Sequence, residues 1–251
     1  MLALVGAALF TQAAAQAPGR PAATSASVVP TAPAASTAAV PDTLAQRLAP
    51  CMACHGAQGR ASRQGYLPRI AGKPAGYLYH QLLNFRDGRR ANPTMAELLA
   101  HQRDSYLAEM ASHFASIELP YAAPTADALP PALQARGEAL VRQGDPARGV
   151  PACAACHGPA LTGTLPAVPG LLGLPRDYLI GQLGAWRTGS RRAHAPDCMA
   201  DISRRLADAD VAAVAAWLAQ QPVPSPATAR AAPPTPPPMD CGAQRPSAGT
   251  P

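Results

Sequence analysis

Cys153-Ala154-Ala155-Cys156-His157 is the stretch on which the reading of this chain turns, and Cys51-Met52-Ala53-Cys54-His55 is its earlier copy, 102 residues upstream. Two thiols three positions apart, followed at once by a histidine, form the spacing at which a polypeptide can bond a haem through both vinyl groups while the imidazole reaches the iron. The two copies use four of the six cysteines. A zinc site would need further ligands at a compact second spacing, and each motif is followed instead by about forty or more residues without cysteine. A thioredoxin-like redox pair would need strand-rich surroundings, which are missing. The motifs therefore read as c-type haem attachment. Cys51 and Cys54 would carry one haem c, Cys153 and Cys156 a second, with His55 and His157 as axial ligands.

The duplication extends past the motifs. With one residue dropped, Pro68, Gly72, Tyr77, Gln81, Arg86 and Gly88 fall on Pro169, Gly173, Tyr178, Gln182, Arg187 and Gly189; with three more inserted, Met95 falls on Met199 and Asp104 on Asp208. A register held over so many positions predicts two homologous domains, residues 42–122 and 123–221. Each reads as helices joined by Gly/Pro loops. In the first, Asp42 is the expected N-cap of a short helix that carries Leu44 and Leu48 and ends at Pro50. In the second, residues 133–143 play the same part. The loops at 65–76 and 163–175 should wrap the haem edge. Helices should follow from Tyr77 and Tyr178, with their apolar positions in the core. Arg86 and Arg187 could pair with haem propionates or point to solvent.

The ends read differently. Residues 1–17, an apolar run leading to Ala15-Gln16-Ala17, read as a signal peptide. Residues 18–41 read as a disordered Ala/Pro-rich spacer, and residues 222–251 as a Pro-rich tail. What remains has few large side chains, aromatics being 4% of the chain. Two units of under about ninety residues with so little to bury need help to form a core, and a buried porphyrin in each would supply it. The formal charge of +6 falls once four propionates are counted, and with scattered arginines and no basic helix it is no nucleic-acid signal.

A six-coordinate haem needs a second ligand, and the thioether of methionine suits iron and raises its potential relative to a second imidazole. Met1 goes with the signal, Met239 lies in the tail, Met52 sits between bonded cysteines and Met110 belongs to a closing helix. Met95 and Met199 remain, both expected in irregular loops. Bis-histidine ligation by His80, His101 or His194 is the rival; His80 and His101 have no histidine counterpart in the other repeat. The two cysteines left over, Cys198 and Cys241, are expected to form a disulfide that pins the tail over the second haem, since export to an oxidising compartment favours the bridge.

These residues carry a resemblance. Two Cys-x-x-Cys-His motifs, each with a Pro-x-aliphatic-x-Gly turn, a Tyr-Leu…Gln-Leu helix and a late Met, resemble the two-haem bacterial cytochromes c of the cytochrome c4 family from Asp42 to about Gln220. The resemblance implies an all-α fold of two tandem cytochrome c-like domains, each wrapped round one covalent haem, with the distal methionine at Met95 and Met199. It implies a periplasmic carrier moving single electrons between a quinol-oxidising complex or dehydrogenase and a terminal oxidase or reductase, with redox proteins as partners. Membrane association would come through a retained N-terminus or a partner complex. Two other readings stand beside it: a fixed cytochrome subunit of a dehydrogenase complex, and a two-haem enzyme of peroxidase or thiosulfate-oxidising type in which Cys198 reaches iron. With both irons capped, no catalytic residue is expected.

Overall fold

Thr43 opens the first helix: its hydroxyl accepts from the Gln46 backbone N–H at 3.3 Å, so the cap lies one residue after the expected Asp42. The computed structural model describes residues 41–61, 66–124 and 128–244. The expected signal peptide, the spacer up to residue 40 and the last seven residues of the tail lie outside them. Helix α1 (Leu44–Arg47) breaks at Leu48, and α2 (Ala49–His55) begins at once with Pro50 in its first turn. Proline is tolerated there because the first N–H groups of a helix have no intrahelical partner. Pro50 is thus a helix start rather than the expected stop, and the first haem motif is itself helical.

The first repeat continues with α3 (Ala75–Arg86), α4 (Pro93–Leu99) and α5 (Asp104–Ala115); the second has α6 (Pro131–Arg142), α7 (Cys153–His157), α8 (Arg176–Thr188), α9 (Cys198–Arg205) and α10 (Asp208–Gln220). The fold is all-α apart from a two-residue antiparallel hairpin, β1 (Gly163–Thr164) with β2 (Val168–Pro169). No helix among the described residues is long and apolar enough to cross a membrane. Helices α4 and α9 correct the expectation of irregular loops around Met95 and Met199. Asn92 caps α4 by accepting from Met95 N at 3.0 Å, and Asp197 caps α9 by accepting from Ala200 N at 3.1 Å. Each side chain satisfies a donor that a helix start would otherwise leave orphaned.

Two apolar cores form. One gathers Leu48, Leu78, Tyr79, Leu107 and Phe114 from the first repeat, and the other Leu140, Val141, Leu161, Val214 and Trp217 from the second. In the second, α6 and α10 approach so closely at Gly137 that a Cβ there would meet Ala213 O at 2.4 Å. Asp210, 5% exposed, binds that crossing to the turn before α7: it pairs with Arg136 at 2.7 Å and Arg148 at 2.7 Å, and Asp145 pairs with the same two arginines. Burial pushes the Asp210 carboxyl up, and the two arginines outweigh it and hold the group below its ordinary value. Arg86 and Arg187 also turn to the closing helices, pairing with Asp104 and Asp208 at the first residues of α5 and α10. A carboxylate at a helix N-terminus is favoured by the macrodipole as well as by its arginine. Neither arginine is left simply in solvent, and both have carboxylate partners other than a propionate.

Candidate functional site

One helical turn brings the two thiols of each motif to the same face, and the histidine follows on that face. His55 and His157 are buried, at 9% and 8% exposure. His55 Nδ1 lies 2.8 Å from Pro68 O, and His157 Nδ1 lies 2.7 Å from Pro169 O. A carbonyl can only accept, so both Nδ1 atoms carry the proton and both Nε2 atoms are left with a lone pair. The loops that supply these carbonyls are held alike: Ile70 N donates to Gly59 O and Leu171 N donates to Leu161 O, each at 2.9 Å. Burial pushes the Cys153 thiol up to about 11 and raises those of Cys51 and Cys156. No group of three or more His, Cys, Asp or Glu suited to a metal occurs among the described residues.

Met95 packs against the same apolar core as Cys51. Met199 stands in the first turn of α9, half-buried. Met110 is a core residue at 5% exposure. Of the rival histidines, His101 is exposed. His80 and His194 face one another edge to plane with ring centres 5.9 Å apart, and the tail reaches His80 through the Ala243 backbone.

Between the repeats lies a group that the sequence reading passed over. Arg90 and Arg191 form an antiparallel bridge pair. Arg90 donates to Gln81 Oε1 at 2.9 Å and to Gln182 Oε1 at 2.7 Å; Arg191 donates to Gln182 Oε1 at 2.6 Å and to Gln81 Oε1 at 3.0 Å. Arg90 also reaches the Tyr178 hydroxyl and Arg191 that of Tyr77, while each guanidinium stacks on its own repeat's aromatic, Phe85 or Trp186. The arrangement has the pseudo-two-fold symmetry of the repeat. Burial raises the Tyr77 phenol, yet Arg191 and Arg90 outweigh it and pull the group down. Neither arginine has an ion-pair partner among the described residues, and the buried Trp186 Nε1 has no acceptor there. Arg191 is buried and Arg90 half-buried, and a buried cation and a buried donor without counter-groups suit an anionic ligand. The propionate carboxylates of a haem would be anions of that kind. The signal was present in the sequence, since Arg90 and Arg191 keep the same offset as Gly88 and Gly189.

The family described as Cytochrome c matches residues 134–222. Over 174 residues the chain is 36% identical to the cytochrome c4 of Pseudomonas aeruginosa, with 68% of this chain and 84% of that protein covered. The chain belongs to the cytochrome c4 family. It is equally similar, 36% identical over 178 residues, to the thiosulfate dehydrogenase electron acceptor of Thiomonas intermedia, covering 70% of this chain and 80% of that protein. Among solved structures it resembles the thiosulfate dehydrogenase of Marichromatium purpuratum with a TM-score of 0.59 and 33% identity, covering 68% of this chain and 36% of that one. As a cytochrome c4 relative, the protein is an electron-transfer cytochrome with covalently bound haem c that works with redox partner proteins.

On this cytochrome c4 scaffold the tail is a structural part of the second repeat. Arg230 N donates to Gly163 O at 3.1 Å and Leu165 N donates to Arg230 O at 2.8 Å, so the tail runs beside the hairpin that follows α7. Thr164, in that hairpin, donates its hydroxyl proton to Cys156 O at 3.0 Å. Further on, Cys241, 3% exposed, is disulfide-bonded to Cys198 with a Cα–Cα distance of 5.4 Å, and Gly242 N donates to Pro196 O at 2.9 Å. The tail therefore touches both the loop after the second haem motif and the start of the methionine helix. The bond also occupies the sulfur that the enzyme reading needed at iron.

Proposed function

We propose that this cytochrome carries two haem c groups, one in each of two domains spanning residues 42–122 and 123–221, and passes single electrons through them. Cys51 and Cys54 hold the first by thioether bonds, with His55 and Met95 as axial ligands; Cys153 and Cys156 hold the second, with His157 and Met199. Each iron supplies a one-electron Fe(III)/Fe(II) couple, and the chain's part is to fix and tune it. Pro68 and Pro169 lock each imidazole in the tautomer that offers Nε2. Arg90 and Arg191 face the propionates, and the apolar cores exclude water. The observation that carries this reading is the histidine-to-carbonyl bond made twice, once after each Cys-x-x-Cys pair.

The donor we infer is a dehydrogenase acting on thiosulfate, as the name of the Thiomonas intermedia relative suggests, and the acceptor a terminal oxidase or reductase. The compartment is the periplasm: the Cys198–Cys241 bond fits an oxidising environment. Mass spectrometry of the exported protein should give the chain plus two haem masses, and Cys153→Ala with Cys156→Ala should remove one of them. The oxidised cytochrome should then be reduced by a thiosulfate dehydrogenase and thiosulfate together, and by neither alone. Maturation with zinc or without added mass would overturn the haem reading, while reduction only by a quinol-oxidising complex would overturn the donor. A second reading, a fixed subunit of a dehydrogenase, is favoured by the likeness to part of the longer Marichromatium purpuratum chain. Co-purification with a dehydrogenase would select it over a free carrier.

A further inference from the structure

Lys73 is the only lysine in a sequence whose other cations are arginines. It belongs to the first repeat, in the loop before α3, yet its head lies against the second. The side chain is buried at 5% exposure, with Nζ 3.5 Å from Gly170 O and 3.4 Å from the Tyr121 hydroxyl. Gly170 directly follows Pro169, whose carbonyl accepts from His157 Nδ1. The adjoining cleft holds a cavity of about 10 Å³, room for one water at most. Lys73 has no ion-pair partner among the described residues. A compact ammonium is thus buried, weakly screened and set beside the loop whose Pro169 carbonyl accepts from the imidazole of the other repeat.

The first repeat has no equivalent. The residue that matches Lys73 is Leu174, which packs on the apolar core. Arg69 does follow Pro68, but its guanidinium is spread over the carbonyls of Ala71, Leu119 and Pro120 and stacks on Tyr121, 3.9 Å from the ring centre.

We propose that Lys73 is an electrostatic tuning residue that acts across the repeat boundary: its buried ammonium disfavours the more positive, oxidised state of the second haem and raises that haem's affinity for an electron, leaving the first unchanged. This rests on the assignment of His157 to the second haem. Charges in a partly desolvated site interact by a kcal/mol or more over several ångströms, so the effect is large enough to bias where an electron rests.

The test is redox titration of the two-haem protein, with the wave of the second haem identified by its displacement in Met199→His. Lys73→Met keeps the volume of the stem and removes the charge, a change that buried sites commonly tolerate; Lys73→Gln is a second neutral variant, and Lys73→Arg keeps the charge. At a fixed applied potential, the reduced-to-oxidised ratio of the second haem should fall about tenfold in the neutral variants and stay near its original value in Lys73→Arg. The first haem should not move. A two-haem protein whose second wave stays put, a shift equal at both haems, or a fall in Lys73→Arg equal to that in Lys73→Met would overturn the role of Lys73 and leave the His157 assignment standing. A mature chain with no haem at the second motif would overturn both.

Discussion

Arg90 and Arg191 stand opposite each other across the seam of the repeat, and each guanidinium reaches the glutamine that belongs to the other half, at 2.7 Å to Gln182 and 3.0 Å to Gln81. Gln182 accepts from both arginines. Replacing it with Leu leaves a donor of the buried Arg191 and one of the half-buried Arg90 short of an acceptor, which should cost about 1–3 kcal/mol. Thermal unfolding followed by far-UV circular dichroism should show a lowered midpoint for Gln182→Leu. Arg204→Ala, which breaks an exposed pair with Asp201, should stay within about 0.5 kcal/mol. Equal effects of the two changes would mean that the seam does not hold the repeats together.

Met95→His and Met199→His should each lower the potential of one haem without changing haem content, because a second imidazole stabilises Fe(III) relative to a thioether. Each should also halve the red charge-transfer band of Met-ligated haem in the oxidised protein. Unmoved potentials and an intact band would show that the sixth ligands lie elsewhere.

Cys241→Ser should weaken the second haem site alone. The bond closes a segment with a sequence separation of 43, which the chain-entropy account values at roughly 3–4 kcal/mol. Cys198 immediately precedes Met199, so heating should detach the second methionine from iron earlier than the first. Equal weakening at both haems, followed through the Met–iron band, would contradict this.

Acid should weaken the second repeat through one cluster of carboxylates and arginines. The guanidiniums of Arg136 and Arg148 hold the Asp145 carboxyl below its ordinary value, and they do the same for Asp210 against the opposing effect of burial. Because the folded values are depressed, this stabilisation is complete above the unfolded value of about 3.9 and is lost as pH falls through the folded values. Unfolding titrations should therefore steepen below about pH 4, and Asp210→Asn should flatten that slope. An unchanged acid limb in Asp210→Asn would place the acid sensitivity elsewhere. The first repeat has Tyr106 at the position of Asp210 and so lacks this cluster, although burial of its own Asp87 is outweighed by Arg86 and Arg89, which hold that carboxyl below its ordinary value.

Covalent chemistry is local, and so the haem motifs could be read from the sequence. Two thioether bonds and a histidine ligand need contiguous residues, and both motifs share the same internal spacing 102 residues apart. The helices after the motifs were legible for a related reason, since Tyr77, Leu78, Leu82 and Phe85 recur at helical spacing around a face that must be buried. Helices α4 and α9 were not, although Asn92-Pro93 and Asp197 are cap signals. At seven and eight residues they are too short to form on propensity alone, and it is their packing against α3 and α8 that makes them helices.

Cysteine count and spacing, the repeat and the methionine offsets were determined by the sequence alone, because each is counted along the chain and none depends on how distant residues pack. Which arginine does what was decided only by the tertiary structure. Arg86 and Arg90 differ little as residues in a chain, yet the first lies against α5 and meets Asp104, while the second lies on the seam and meets Gln182. The tail shows the same division. Its composition offers nothing to bury, and by composition it is a tether; one disulfide at Cys241 and the backbone bonds of Arg230 and Gly242 place it on the second repeat, because those partners lie far away in sequence and come together only when the helices have packed.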